Sequence, residues 1–232
     1  MTNVEQLNKQ SVYPWSNYGL KLSSGRPTTT VQYVTYIVQI AVLIVLNYLS
    51  IVLLGPLSYS GVSLFYFVYP FYIIFTIWWG LWGAIGAYIG GVVGAGLLVG
   101  VGVVPSLLSS FSVLFTALAT FIFYRGFLSK HGIDPLMRDL TDGEISGYKT
   151  HRGQAWMWMI LTNAVIFNLI NTEIGINAEY VLGLIPPSAY WFWWAGWFLG
   201  QVISLIILMP IIVKGVSKVV ERQGLVNIGW LS

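Results

Sequence analysis

Residues 27–124 form a run of 98 positions without one Asp, Glu, Lys, Arg or His. A soluble fold has no means of solvating such a run. At about 20 residues per helical crossing it must traverse a bilayer several times. The rest of the chain agrees, with 56% apolar residues and only 8% charged, where a soluble domain carries roughly 25% charged. The expected fold class is all-α, a polytopic membrane helix bundle. The absence of cysteine excludes disulfide staples, thiolate metal sites and thiol catalysis.

Within the run, residues 80–105 read GLWGAIGAYIGGVVGAGLLVGVGVVP, with glycines and alanines on a four-residue ladder. Gly86, Gly90 and Gly94 form one row, and Gly83, Ala87, Gly91 and Ala95 the next. In water each interior glycine costs a helix about 0.5–1 kcal/mol, which makes such a segment marginal. In lipid the helix keeps its hydrogen bonds, and rows of tiny side chains let neighbouring helices approach closely. This stretch is therefore expected to be the central, protein-contacted span. Gly83, Gly86, Ala87, Gly90, Gly91 and Gly94 are its candidate partner-docking face.

Hydropathy and breakers predict six transmembrane helices over 31–54, 63–78, 82–99, 106–124, 154–172 and 188–213. Gly55-Pro56 stops the first, and Trp78-Trp79-Gly80 offers interfacial indoles and a permissive turn for reversing the 41 uncharged residues 64–104. Pro105 suits the first turn of the fourth, and Pro186-Pro187-Ser188 opens the sixth. Residues 1–30 read as a cytoplasmic lead-in, with Tyr13, Trp15 and Tyr18 at the headgroups. Residues 125–153 are a charged loop with a short surface helix over 135–140, and 214–232 a polar tail.

The basic residues orient this layout. Lys9, Lys21 and Arg26 precede the first span; Arg125, Lys130, Arg138, Lys149 and Arg152 lie between the fourth and fifth; Lys214, Lys218 and Arg222 follow the sixth. With six crossings these three segments share one side, which the positive-inside rule makes the cytoplasm, so both termini are expected there and the cell membrane is the expected location. Outside lie only the loops 55–62, 100–105 and 173–187, whose charges are Glu173 and Glu179. The net charge of +3 forms no basic patch of the kind nucleic acid requires.

No reactive constellation suggests an enzyme, a metal or a cofactor. His131 and His151 have no companion ligand at metal spacing, and the spans hold no His, Asp, Lys or Arg. The outer half of the fifth span is richer: Asn163, Asn168, Asn171 and Thr172 crowd an apolar helix, with Glu173, Asn177 and Glu179 beyond. Buried amides in lipid must face helices, water or a ligand. They therefore either line an outward pocket for a polar solute or tie helices together. Tyr190, Trp191, Trp193, Trp194 and Trp197 open the sixth span as an aromatic belt, and five rings in eight residues encircle the helix, so some point inward, where they can stack on a planar ligand. Gln201 and Ser204 continue that face. On the first span Gln32, Tyr36 and Gln39 share a face with Asn47 nearby, a pattern for interhelical bonding.

Six spans with both ends inside, a glycine-rich third span opened by Trp78-Trp79-Gly80-Leu81-Trp82-Gly83-Ala84-Ile85-Gly86-Ala87, and polar groups near the fifth and sixth resemble the membrane-embedded substrate-binding components of energy-coupling-factor transporters. That resemblance implies uptake of a small solute delivered inward against a transmembrane coupling subunit and ATPases; the outward polar and aromatic cluster makes Asn163, Asn168, Asn171, Glu173, Trp194, Trp197 and Gln201 the expected binding residues and a ring-containing solute the expected ligand. The first span offers only Ala41 where those components carry an Ala-x-x-x-Ala docking motif. Trp197-Phe198-Leu199-Gly200-Gln201 followed by Pro210 is similar to the ending of membrane-associated sensor domains, with Gln201 where they carry Asp. It implies a non-transporting structural or sensory subunit.

Overall fold

A computed structural model describes residues 15, 18–20, 28–53, 65–140, 142, 144–145, 148–149 and 153–231. The expected loop over 55–62, Tyr13, Lys9, Lys21, Arg26, His151 and Arg152 lie outside them. Among the described residues five helices are long and apolar enough to cross a membrane: α1 (Thr30–Val52), α3 (Leu81–Val99), α4 (Val103–His131), α5 (Gln154–Val181) and α6 (Pro187–Arg222). One more helix, α2 (Tyr69–Trp79), precedes α3. Between α4 and α5 a two-residue ribbon pairs β1 (Glu144–Ile145) with β2 (Tyr148–Lys149). The chain is thus a helical, multi-pass membrane protein.

Helix α1 starts with a capping box: Thr29 accepts from the Gln32 amide while the Gln32 side chain accepts from the Thr29 amide, satisfying two donors that helix geometry leaves free. Only a narrow stripe of α1 is buried, Tyr36, Gln39, Leu43, Asn47 and Ser50, and the other faces are apolar and exposed. That stripe lies on the first glycine row of α3. A Cβ at Gly86 would meet the Gln39 side chain at 2.5 Å, one at Gly90 would meet Leu43 at 2.9 Å, and one at Gly94 would collide with the Ile44 carbonyl and Asn47. Contacts that advance together along both helices mean that α1 and α3 run parallel.

The other small residues of α3 face other helices of the same chain. Gly83 abuts the backbone at Phe75 and Thr76 of α2, Gly91 lies against Ser110 of α4, and Ala87 is buried. The face expected to dock a second protein is therefore filled by the chain's own α1, α2 and α4.

Helix α2 departs most from expectation. The sequence predicts a full span over 63–78, yet α2 has 11 residues, about 16 Å at 1.5 Å per residue and half of the hydrocarbon thickness. Every residue of α2 except Phe71 is buried. A helix apolar all round belongs in a protein interior as readily as in lipid, and here it fills the centre of the bundle. The indoles of Trp78 and Trp79, expected at an interface, are 1% and 6% exposed. Gly80 makes the reversal into α3 with φ +59°, and a Cβ there would lie 2.5 Å from the Trp230 carbonyl, so only glycine fits.

The end of the bundle holding this reversal also holds Arg125, Lys130, Arg138, Lys214 and Lys218, and is called the basic end; Glu173 and Glu179 mark the opposite, acidic end. Arg125, read from sequence as a loop charge, is 0% exposed. Its Nε and Nη2 donate to the Ile77 carbonyl at 3.1 and 2.5 Å, and its guanidinium lies over the Tyr18 ring at 4.8 Å. A cation there satisfies the free carbonyls and negative dipole of the α2 C-terminus. Trp15 is buried and Tyr18 is half-buried, so both pack on protein, where the sequence suggested headgroups.

The expected surface helix over 135–140 is only a single tight turn, Arg138–Leu140. Asp134 organises it, accepting from the Leu136 and Arg138 amides and from the Arg138 guanidinium at 2.9 and 3.0 Å. Arg138 also pairs with Glu221 of α6, and Lys218 with Asp142 at 2.7 Å. Burial opposes the Arg138 charge, but the Asp134 hydrogen bond and the Asp134 and Glu221 carboxylates outweigh it and hold the guanidinium protonated above its ordinary range.

Asp139 accepts from the Ala155 amide at 3.0 Å at the start of α5. Burial raises its carboxyl from 3.8 to about 6. A carboxyl whose folded value exceeds its unfolded value binds protons more tightly when folded, so stability falls as pH rises through this window, by up to about 3 kcal/mol. Thermal unfolding in detergent between pH 4 and 6 is expected to show that loss, and Asp139→Asn, which keeps an acceptor for Ala155, to flatten it. Equal slopes in both proteins would remove Asp139 as the cause.

Helices α5 and α6 both outrun their predicted lengths. Residues 173–187, expected as an outer loop, are helical to Val181, and the expected tail over 214–232 is helical to Arg222 before folding back onto the bundle.

Candidate functional site

Polar side chains inside the bundle fall in layers, each made by helices whose packing brings one or two of them together. Of the predicted site residues, the one nearest the basic end is Asn163, fully buried on a stretch of α5 (Ile160–Phe167) wound with i→i+5 hydrogen bonds. Such widened turns re-aim side chains. Asn163 Oδ1 accepts from the Thr120 hydroxyl of α4, its Nδ2 donates to Thr162 at 3.2 Å, and its carbonyl accepts from the Tyr69 hydroxyl of α2 at 3.2 Å. Asn163 ties three helices and stands apart from the other predicted site residues.

One layer on, Asn168 Nδ2 donates to the Phe198 carbonyl of α6 at 3.0 Å, and its Oδ1 accepts from Thr172 at 3.5 Å. Asn47 of α1 makes a comparable knot: its Nδ2 donates to the Leu43 carbonyl at 2.6 Å, and its Oδ1 accepts from Tyr66 at 2.8 Å and from Tyr72. Tyr66 and Tyr72 were not singled out from the sequence, where tyrosine in an apolar run reads as one more large side chain.

Asn171, Trp197 and Gln201 come together between α5 and α6. Asn171 Nδ2 donates to Gln201 Oε1 at 2.7 Å, and both residues are buried. One turn further along α5 a Cβ at Gly175 would meet the Trp197 ring at 3.1 Å and the Ser112 hydroxyl of α4 at 3.2 Å, so this glycine lets the indole approach α5 closely. Asn171 and Gly175 are i, i+4 on α5, and Trp197 and Gln201 are i, i+4 on α6, so the four form one contact. Two polar atoms in it are buried without a partner, the acceptor Asn171 Oδ1 and the donor Trp197 Nε1.

At the acidic end, Glu173 accepts from Trp194 Nε1 at 2.9 Å and from Asn177 at 2.8 Å, while Tyr190 donates to Asn177 at 3.1 Å. The Trp194 ring stacks on Phe198 at 5.6 Å. Glu173 and Trp194 are thus joined to each other at the rim, about half a turn from Asn171 along α5 and about two turns from Gln201 along α6.

His131 is exposed at the basic end, bonded to the Phe127 carbonyl at 2.8 Å. Among the described residues no group of His, Asp and Glu could hold a metal. No protein-family model, curated protein or solved structure matches the chain.

Proposed function

We propose that this chain crosses the cell membrane six times with both ends in the cytoplasm, binds a small, ring-containing solute from outside, and takes part in its uptake without covalent chemistry. Two features support the topology. Because α1 and α3 run parallel, the chain must come back to the basic end before α3 begins, and the short α2 (Tyr69–Trp79) lies on that return. The described lysines and arginines of the membrane helices gather at one end, as the positive-inside rule expects of a cytoplasmic face.

The observation that carries the solute reading is the unpartnered pair in the α5–α6 contact. A buried acceptor and a buried donor left unmade cost about 1–3 kcal/mol each, and a ligand presenting both complements recovers that. The indole beside them supplies a face for a planar ring. Glu173, Asn177, Tyr190 and Trp194 form the mouth. Delivery inward then proceeds by rocking against partners, a transmembrane coupling subunit and ATPases. With the glycine rows of α3 covered, such a subunit meets an exposed apolar face, of which α1 has the broadest.

Gentle purification followed by native mass spectrometry is expected to show one small molecule per chain. Asn171→Ala and Trp197→Phe each remove one hydrogen-bonding function and weaken its retention by about tenfold, the equivalent of one buried hydrogen bond. Undiminished retention in both variants would dispose of the site. The second reading, a non-transporting structural or sensory subunit, is favoured by Asn163 and Asn168, whose amides serve as helix ties. It predicts no bound solute and an Asn171→Ala variant altered in stability alone.

A further inference from the structure

The bundle's basic end is closed by the segment that follows α6. After Arg222 the chain turns at Gly224, φ +65°, and runs back so that Val226 and Asn227 are buried. Asn227 makes three hydrogen bonds to groups of other helices: its amide donates to the Trp78 carbonyl at 2.8 Å, its Nδ2 to the Trp79 carbonyl at 3.0 Å, and its Oδ1 accepts from the Tyr36 hydroxyl of α1 at 2.6 Å. The segment supplies a further bond through Trp230, whose carbonyl accepts from the Leu81 amide at 2.9 Å while its ring meets Phe121 of α4 edge-on at 4.9 Å. One short segment therefore bridges α1, the α2–α3 reversal and α4, and satisfies the backbone groups that the reversal leaves free.

Behind it lies an unusual concentration of unmet polarity. Gln39 Oε1, Trp78 Nε1, Trp79 Nε1 and Arg125 Nη1 are buried with no hydrogen-bond partner, and all four belong to residues that lie in, or are bonded to, positions 77–82. A buried polar atom without a partner is costly, whereas the same atoms facing water are satisfied. The groups held by Asn227 and Trp230 are likewise ones that water can take over.

We infer that segment 225–230 is a releasable latch: its withdrawal about Gly224 admits water to a polar chamber at the basic end, lined by Tyr36, Gln39, the α2–α3 reversal and Arg125. The latched form is the dry, closed state, and the unpartnered atoms bias it toward opening. The inference holds whether or not Asn171 and Trp197 bind a solute, and its test needs none.

Because the sequence has no cysteine, single substitutions report cleanly. Thr76→Cys places a thiol one turn behind the reversal, and Thr116→Cys an equally buried control on α4. In nanodiscs, which leave both faces open to a membrane-impermeant maleimide, both thiols are expected to be nearly inert. Adding Asn227→Ala raises labelling at Thr76→Cys by at least about tenfold, the factor that corresponds to one or two lost hydrogen bonds, and leaves Thr116→Cys unchanged. Tyr36→Phe, which deletes only one bond to the segment, gives a smaller rise. Unchanged labelling at Thr76→Cys, or an equal rise at Thr116→Cys, overturns the latch, the second outcome showing that Asn227 merely holds the bundle together.

Discussion

Gly94→Leu is expected to cost about 3 kcal/mol or more, the upper end of what overpacking does in a close-packed interior. The site gives no room for adjustment, because the first atom in the way is the backbone carbonyl of Ile44, with Asn47 Cβ at 2.7 Å. A side chain can rotate aside; a helix backbone can only be pushed off. Separating α1 from α3 at Gly94 also strips contact from Gly90 and Gly86, since all three glycines face the same stripe of α1. With natural stabilities of about 5–15 kcal/mol, a loss of this size is a large share of the total. Gly215→Leu is the matched control: Gly215 is also helical, and a Cβ there meets nothing within 4 Å. Size-exclusion and thermal unfolding in detergent check the pair. A Gly94→Leu protein that stays monodisperse and melts with the parent would refute the α1–α3 contact.

Arg125→Ala is expected to destabilise by about 3–5 kcal/mol, combining a large-to-small cavity with orphaned acceptors. The guanidinium is fully buried and bonded to the Ile77 carbonyl, with the Trp78 carbonyl at 3.5 Å. With segment 225–230 in place the site is buried and dry, so no water replaces those donors. Arg125→Met separates the two contributions: it refills the volume but supplies no donor, and is expected to cost about 2 kcal/mol for the unsatisfied carbonyl. Arg125→Lys keeps the charge but loses the planar fork that spans the end of α2, so it does not restore parental stability. Should Arg125→Met melt at the parental temperature, capping of α2 by this residue would contribute nothing.

Both predictions concern features that were half visible before the structure. The four-residue glycine ladder announces that another backbone approaches α3 closely, and that much can be read from Gly86, Gly90 and Gly94 alone. Which backbone approaches is a matter of partners. The ladder suits a second protein as well as α1, and only the position of Gln39, Leu43 and Asn47 decides for α1. The reversal at Gly80 was likewise legible, because 41 uncharged residues cannot pass through a bilayer once. The length of α2 was not read correctly, although Pro70 inside the predicted span 63–78 is a helix-start signal and marks where α2 begins.

The candidate site divides the same way. Asn171, Trp197 and Gln201 stand out as polar or amphipathic groups on apolar helices, and the i, i+4 spacing within each helix is a sequence property. That Asn171 meets Gln201 while Asn163 meets Thr120 depends on how α4, α5 and α6 cross. Residues 173–181 look like a loop because Glu, Asn and Gly lower their hydropathy, but Glu173–Trp194 and Asn177–Tyr190 bonds to α6 keep them helical. Val226, Asn227 and Trp230 look like parts of a polar tail, and nothing within nine residues discloses that α2 and α3 await them.

From the sequence alone follow the apolar helices, their approximate number, the close-packed character of α3 and the clustering of charge, because hydropathy, breakers and charge are properties of short stretches. Tertiary structure alone decided that α2 is enclosed by protein, that Arg125 is buried, and which amides are spent on helix ties. The reason is physical: lipid and protein interior are equally apolar surroundings, so a stretch that suits one suits the other, and only the positions of the remaining helices determine which it meets.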